Sequence, residues 1–145
     1  MARDLKLLHP KLRQLAENLI EKAAEAGLSI MVTQTLRTVE EQNELYAQGR
    51  TKPGRIVTNA RGGESFHNYG LAFDIVLMNG RKPNWDTGAD INDNDIDDYF
   101  EIGELGERLG LTWGGRWKFK DLPHFQFTFG LTLKELQSGK SPSDK

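Results

Sequence analysis

The chain has 145 residues, no cysteine and a formal net charge of −2 at pH 7. This length fits one domain, which buries roughly two-thirds of the surface that the unfolded chain exposes, so a core can form without disulfides. The lack of cysteine excludes disulfide frameworks and thiolate metal sites, leaving His, Asp, Glu and carbonyl groups as candidate ligands. The charge argues against a nucleic-acid-binding domain.

The first part of the sequence predicts a helix, a strand, a second helix and a loop. Apolar residues recur every three or four positions from Pro10 to Ala26, and a glycine follows. The segment Leu28 to Thr33 is rich in β-branched residues and predicts a strand. Thr38 to Glu41 resembles a capping box that starts the second helix. Residues 50–64 have no sustained period and predict a long loop.

The second part predicts two strands and two helices. The continuous apolar run Leu71 to Met78 predicts a buried strand, and a helix is expected from about Asp95 to Leu109. From His124 to Phe129 apolar and polar residues alternate, which predicts a half-buried strand. A short helix is expected at Thr132 to Gln137. The strands lack a regular βαβ pattern, so we predict an α+β fold with a small, mainly antiparallel sheet and flanking helices.

We expect a single domain over residues 1–138 and a disordered tail over 139–145, because the tail is rich in Ser, Gly, Lys and Pro. The N-terminus lacks the pattern of a secretory signal, and no apolar run is long enough to cross a bilayer. The expectation is therefore a monomer made in the cytoplasm, without membrane insertion or a nucleic-acid partner.

A carboxylate interrupts the apolar run at Asp74. An isolated buried charge costs several kcal/mol, so it must be paired or bound to a cation. Strand parity puts Asp74 on one face with Ala72, whose small side chain leaves space, and puts His124 on the polar face of the last strand. If these faces meet, both residues can converge on one ion, with His67 folding back from the preceding turn. A salt bridge or a capping role is the alternative for Asp74.

Two imidazoles and one carboxylate form the three-ligand pattern of a catalytic zinc site, which keeps a fourth position open. Non-haem Fe(II) uses the same ligand types, but the oxygenases concerned need a larger barrel. Each histidine alone would more often be a hydrogen-bonded structural side chain. Asp121, three residues before His124, is placed to act as a general base, or else to pair with Lys118 or Lys120.

These residues resemble a known family, the zinc peptidases of bacterial cell-wall stem peptides, and the resemblance covers most of the chain. It consists of the pattern Ser-x-His-x-x-Gly-x-Ala-x-Asp over residues 65–74, the stretch Trp-Gly-Gly-Arg-Trp over 113–117, and the pattern acid-x-x-His over 121–124. The family includes D-alanyl-D-alanine carboxypeptidases and L-alanyl-D-glutamate endopeptidases of phage endolysins. The resemblance implies a hedgehog/DD-peptidase-like fold.

The same resemblance implies zinc ligands His67, Asp74 and His124 and a catalytic acid/base at Asp121. Many carboxypeptidase relatives have Glu at that acid position, so the aspartate is more similar to the endopeptidase branch. Arg37 matches a family arginine that could bind a substrate carboxylate or an oxyanion, or could instead pair with Glu40 or Glu41. Ser65 is a candidate substrate hydrogen-bonding residue, or a turn residue.

The resemblance therefore implies that the protein hydrolyses a peptide bond of the peptidoglycan stem with zinc, as a phage endolysin or autolysin. The L-alanyl-D-glutamate bond is the first candidate. The partner of the protein would be the stem peptide of the cell wall, reached with the help of a holin. The alternatives are a D-alanyl-D-alanine carboxypeptidase, a non-catalytic zinc-stabilised binding module, and a phage structural protein without metal.

A second pattern lies in the acidic segment before the third predicted helix. Asp90, Asn92, Asn94, Asp98 and Glu101 occupy positions 1, 3, 5, 9 and 12 of a calcium-binding loop, although position 6, which requires glycine, is Asp95. We expect this loop to bind Ca²⁺ and to order the wall of the zinc site.

Overall fold

A computed structural model describes residues 1–142 of the chain. These residues form four α-helices and five strands, with three short 3₁₀ turns at Leu5–Leu7, Phe66–Tyr69 and Gly114–Arg116. In chain order the elements are α1 (Pro10–Glu25), β1 (Ser29–Gln34), α2 (Val39–Ala47), β2 (Ala72–Asn79), β3 (Lys82–Asn84), α3 (Asp98–Arg108), β4 (Thr112–Trp113), β5 (His124–Gln126) and α4 (Leu133–Gln137). The α+β prediction is confirmed.

The five strands form one antiparallel sheet around β2. Strand β1 pairs with one edge of β2, while β5 and β3 share the other edge, β5 beside the start of β2 and β3 beside its end. Strand β4 then pairs with β5. Five of its eight residues are buried, namely Ala72, Phe73, Ile75, Val76 and Leu77, as its continuous apolar sequence predicts.

The helices α1 and α3 pack together, and α1 also covers β1. The main core contains the apolar stripe of α1 and the inward side chains of the sheet, including Phe73 and Phe125, whose rings stack with centroids 5.6 Å apart. A smaller cluster contains Leu71, Leu131 and Leu136. None of the helices in the described part of the chain is long and apolar enough to span a membrane.

Two predicted boundaries are wrong, and backbone conformation explains both. Helix α3 begins at Asp98 and not near Asp95, because Asp95 has a φ of 64°, which a right-handed helix cannot accommodate. Strand β5 ends at Gln126, and Phe129 has a φ of 56°. Phe127 packs against the main core and Phe129 against the smaller cluster, and their rings touch with centroids 4.8 Å apart.

The predicted tail is described only in part. Residues 139–142 follow α4, where Gly139 and Lys140 donate backbone hydrogen bonds to the last turn of the helix, and Lys140 pairs with Glu135 at 3.1 Å. Residues 143–145 lie outside the described residues. The single domain over residues 1–138 and the disordered tail stay predictions.

The contact between α3 and Trp113 gives a test of this packing. A Cβ atom built on Gly103 would lie 2.2 Å from the indole of Trp113, which is fully buried. We expect Gly103→Ala to lower the free energy of unfolding by about 1–3 kcal/mol through overpacking, although alanine favours helix by roughly 1 kcal/mol. Urea denaturation measures the change.

The matched control is Arg108→Ala on the exposed side of the same helix, which should shift stability by less than about 0.5 kcal/mol. Equal stability of Gly103→Ala and the unmodified protein would contradict the packing described here.

Candidate active site

The pairing of β2 with β5 sets Asp74 directly opposite His124, although the two residues are 50 positions apart in sequence. The Oδ1 atom of Asp74 lies 3.1 Å from Nδ1 of His124. Residues opposite each other on antiparallel strands bring their Cβ atoms to within about 5.5 Å, so two short side chains on one face must meet. The predicted meeting of these faces is confirmed.

His67 reaches the same carboxylate from the 3₁₀ turn before β2. The turn begins at Ser65, whose Oγ accepts a hydrogen bond from the backbone N–H of His67 at 3.2 Å. The His67 ring is buried, with Nδ1 2.8 Å from the carbonyl oxygen of Thr35 and Nε2 3.2 Å from Oδ1 of Asp74. One carboxylate oxygen therefore faces both imidazoles.

The outer hydrogen bonds decide which imidazole nitrogens remain free. The Thr35 carbonyl can only accept, so Nδ1 of His67 carries a hydrogen. Nε2 of His124 lies 2.8 Å from Oε1 of Gln126 and donates to it in the same way. The remaining two nitrogens both point at Oδ1 of Asp74, where neutral rings would present lone pairs to an anion. Protons or a cation must lie between them.

The donor atoms of His67, Asp74 and His124 all lie within 4.8 Å of one another, as the ligands of one metal ion do. Two imidazole nitrogens and a carboxylate oxygen suit Zn²⁺. Each imidazole is held by an acceptor on its far side, which is the usual arrangement around histidine ligands of metals. The residues present thus fit a divalent cation.

Without a cation, Asp74 and His124 shift each other's pKa. Burial alone would raise the pKa of Asp74, but hydrogen bonds from His124 and His67 outweigh it and hold that pKa well below its usual range. Burial opposes a charged His124, yet the adjacent Asp74 carboxylate raises the pKa of this imidazole above its ordinary value. The pocket thus favours positive charge beside Asp74.

Asp121 lies beside this cluster on the loop between β4 and β5. Its Oδ2 is 4.0 Å from Nδ1 of His124, and its side chain is 49% exposed. Partial burial raises the pKa of Asp121, partly offset by the positive field of His124. The backbone N–H of Asp121 donates to the Gly114 carbonyl at 3.0 Å, and a Cβ on Gly114 would lie 2.5 Å from the Asp121 carbonyl oxygen. Because Gly114 has no Cβ, the Asp121 backbone can lie this close to it.

Arg37 lies on the other side of the cluster and is almost fully buried. Its guanidinium donates to Oε1 of Gln42 at 2.8 Å and to the side chain of Gln34. Its Nε has no hydrogen-bond partner among the described residues, and no ion pair to Glu40 or Glu41 forms there. Burial lowers the pKa of Arg37, while Asp74 opposes this shift.

These side chains share one open cleft with a volume of about 270 Å³. The residues that line it are Gln34, Arg37, Leu45, Val57, Thr58, His67, Asp74, Asp121 and His124. Trp117 is partly exposed and contacts His124, with the two ring centroids 5.1 Å apart. The other tryptophan of the motif, Trp113, is buried and donates from Nε1 to the Leu122 carbonyl at 2.8 Å, which fixes the loop that carries Asp121.

Comparison with known proteins matches this sequence to one family model and to a closely similar bacterial protein. Residues 58–127 match the sequence model of a family described as D-alanyl-D-alanine carboxypeptidase. The peptidoglycan L-alanyl-D-glutamate endopeptidase CwlK of Bacillus subtilis (strain 168) is 49% identical over 123 residues, which are 82% of this chain and 72% of CwlK. The chain belongs to this D-alanyl-D-alanine carboxypeptidase and L-alanyl-D-glutamate endopeptidase family.

Two further family relatives extend the match. The L-alanyl-D-glutamate peptidase of Listeria phage A118 is 28% identical over 138 residues, which are 89% of this chain but only 44% of the phage protein. The crystal structure of the L-Ala D-Glu endopeptidase ChiX of Serratia marcescens superposes with a TM-score of 0.63 at 28% identity, covering 88% of each chain. The predicted DD-peptidase-like fold is confirmed.

The structure brings most of the predicted site residues together. The three candidate ligands, Asp121 and Arg37 line one cleft, and their chemical roles stay predictions. Ser65 is not among the cleft residues; its Oγ caps the 3₁₀ turn, and its role toward substrate stays a prediction.

The acidic loop lies elsewhere. Asp90, Asn92 and Asn94 are not among the residues that line the cleft, and Asn92 donates to the Ala26 carbonyl at the end of α1 at 2.9 Å. The loop packs against α1 and α3 and does not line the cleft directly, so the expectation that it orders the wall of the zinc site stays a prediction. None of the relatives described above is named for calcium binding.

Gln126 and Gln42 also hold site residues in place, although the sequence patterns above do not identify them. Gln42 is fully buried, holds Arg37, and donates to the Ala60 carbonyl at 2.8 Å. Gln126 stands two residues after His124, and strand periodicity puts such residues on one face. That spacing is a usable signal for Gln126, whereas nothing local in the sequence singles out Gln42.

We expect Gln126→Leu to weaken zinc binding by about 10–100-fold, which is the usual effect of removing an outer partner of a metal ligand. The change removes the acceptor that keeps the hydrogen of His124 on Nε2. Competition with a chromophoric chelator measures the affinity. Gln126→Glu retains an acceptor and should keep affinity within a few fold; equal losses in both variants would contradict this role of the glutamine.

Proposed function

We propose that the protein is a zinc peptidase that hydrolyses the L-alanyl-D-glutamate bond of the peptidoglycan stem peptide. The observation that carries the proposal is the convergence of two imidazoles and a carboxylate beside a half-exposed second carboxylate, in an open cleft. The relative with 49% identity is named for this activity, which supports the choice of bond.

His67, Asp74 and His124 are the proposed zinc ligands. They fit the ion because each imidazole has one nitrogen occupied by an outer acceptor and the other directed at the Asp74 oxygen. When bound there, zinc supplies Lewis-acid chemistry, polarising a carbonyl group and activating water near neutral pH. The set has three protein ligands, as in catalytic zinc sites.

Asp121 is the proposed general base and acid. Its carboxylate oxygen is 4.0 Å from a candidate ligand and half exposed, so it can reach both a water molecule and a substrate in the cleft. It accepts a proton from the attacking water and delivers that proton to the amine that leaves when the peptide C–N bond breaks. Its backbone is tied to Gly114, which restricts where the carboxylate can move.

Arg37 is the proposed substrate-binding residue. Gln42 and Gln34 hold two of its guanidinium nitrogens, which fixes the plane of the group against the cleft. A fixed guanidinium binds a carboxylate or a developing oxyanion more strongly than a mobile one, because little conformational freedom is lost. The D-glutamyl residue of the stem carries such a carboxylate.

Two alternatives differ in substrate or in catalysis. The description of the matching family model favours a D-alanyl-D-alanine carboxypeptidase, while the aspartate at position 121 and the 49% identical endopeptidase favour the L-alanyl-D-glutamate bond. A non-catalytic zinc-stabilised module would not need an acid beside the ligands. Asp121 in the cleft therefore favours an enzyme.

The proposed place of action is the cell wall, where the stem peptides are found. The phage relative supports a role as an endolysin, and CwlK supports a bacterial wall hydrolase of the same chemistry. Release with the help of a holin stays a prediction.

We expect the protein to bind one zinc ion per chain and to lose stability when zinc is removed, because a ligand that binds only the folded state stabilises it. Elemental analysis measures the content, and thermal unfolding before and after dialysis against a chelator measures the stability. His124→Ala should contain less than a tenth of the zinc. Full zinc content in that variant would exclude His124 as a ligand.

We expect Asp121→Asn to hydrolyse purified cell walls about 10²–10⁴-fold more slowly, the usual contribution of a general base, while retaining one zinc per chain. Mass spectrometry of the wild-type digest should reveal new amino termini on D-glutamate. Lys120→Gln removes a charge from the same loop outside the cleft and should keep activity. New termini on D-alanine would contradict the proposed bond, and wild-type rates in Asp121→Asn would contradict the proposed base.

A further inference from the structure

The loop between β3 and α3 brings distant oxygen-bearing side chains to one place. The side-chain nitrogens of Asn92 and Asn94 lie 3.1 and 2.8 Å from the same oxygen of Glu101, in the first turn of α3. Asp90 accepts hydrogen bonds from the backbone N–H groups of Asn94 and Asp95 at 3.0 and 2.9 Å. Positions 1, 3, 5 and 12 of the calcium-loop spacing therefore converge.

The departure at position 6 is accommodated by the backbone. Asp95 has a φ of 64°, the left-handed conformation for which such loops require glycine. Aspartate adopts this conformation more readily than most residues. Carboxylate oxygens of Asp90, Asp93 and Asp95 lie within 4.8 Å of one another, so the loop concentrates negative charge.

A separate observation comes from Asp98 at position 9, whose side chain is completely buried. One of its oxygens accepts from the backbone N–H of Ile91 at 2.7 Å, inside the loop, and the other has no partner among the described residues. Burial raises its pKa above the ordinary value, the hydrogen bond from Ile91 opposes this shift, and the nearby charges of Asp90 and Glu101 add to it. A buried carboxylate oxygen without a partner is costly unless a cation completes it.

Within residues 1–142, no Lys, Arg or His side chain forms an ion pair with the carboxylates of this loop. None of the ion pairs there involves the five carboxylates of the loop, which are Asp90, Asp93, Asp95, Asp98 and Glu101. The buried Oδ1 of Asn92 also lacks a partner. The available donors are all oxygens, with no imidazole among them, which is the ligand chemistry of Ca²⁺ and not of Zn²⁺.

We infer that this loop is a Ca²⁺ site, separate from the zinc cleft, formed by Asp90, Asn92, Asn94 and Glu101 with Asp98 beside them. Binding turns the two asparagine amides so that their oxygens face the ion, and the ion replaces the contacts they make to Glu101. This inference is independent of the proposed hydrolase activity.

The site would stabilise the junction of two helices. Asn92 contacts the end of α1, and Glu101 belongs to the first turn of α3. Helix α3 in turn packs on Trp113, where the Phe100 and Trp113 ring centroids are 5.3 Å apart, and Trp113 holds the loop of Asp121. Calcium should therefore raise the thermal stability of the whole domain.

The test uses the zinc-loaded protein in buffer freed of calcium. Calorimetric titration with CaCl₂ should show one ion per chain with a Kd between about 10⁻⁷ and 10⁻³ M, and Tm should rise with calcium concentration. MgCl₂ should produce a smaller rise, because Mg²⁺ needs stricter octahedral geometry. Absence of both heat and Tm shift up to about 10 mM calcium, or an equal response to magnesium, would overturn the assignment.

Two variants test the named residues. Glu101→Gln keeps the shape of the side chain and should weaken calcium binding at least 10-fold, whereas Glu104→Gln, one turn further in the same helix, should bind as the unmodified protein does. Asp98→Asn should raise Tm without calcium and reduce the calcium-dependent rise. Unchanged calcium binding in Glu101→Gln, or a Tm loss in Asp98→Asn that is the same with and without calcium, would overturn the inference.

Discussion

The cleft depends on one carboxylate oxygen that two imidazoles approach from different parts of the chain. Oδ1 of Asp74 is 3.2 Å from Nε2 of His67 and 3.1 Å from Nδ1 of His124. The other nitrogen of each ring donates to an acceptor, the Thr35 carbonyl for His67 and the Gln126 side chain for His124. A buried anion on a central strand is tolerable only with compensating charge, so the groups around it are constrained to remain together. The sheet register, the 3₁₀ turn and the β4–β5 loop all serve this arrangement.

The sequence predicted the parts of the fold that have a strong local signal. The stripe of α1, the capping box at Thr38 and the apolar run of β2 correspond to observed elements. Strand parity was sufficient to put Asp74 and His124 on the same face of the sheet. A one-residue slip in register would move one of them to the opposite face. The errors fall at Asp95 and Phe129, where non-glycine residues adopt left-handed backbone conformations that no periodicity reveals.

The candidate site was only partly predictable for a different reason. Histidines and aspartates in an unusual context stand out in a sequence, but the residues that orient them do not. Gln42 lies 5 positions from Arg37 and holds it from a helix, a contact that exists only after α2 packs beside the cleft. Similarly, the role of Gly114 follows from the 2.5 Å approach of the Asp121 carbonyl to its missing Cβ, which is a tertiary fact.

The pairing of β2 with β5 also has a consequence for the order of folding. His67 and Asp74 are neighbours along the chain, but His124 joins them only when a three-residue strand docks against the centre of the sheet. Contacts between segments so far apart form late, because closing a long loop costs entropy before any contact compensates it. Metal uptake should consequently follow tertiary assembly, so that the rate of zinc capture reports on the docking of this last strand.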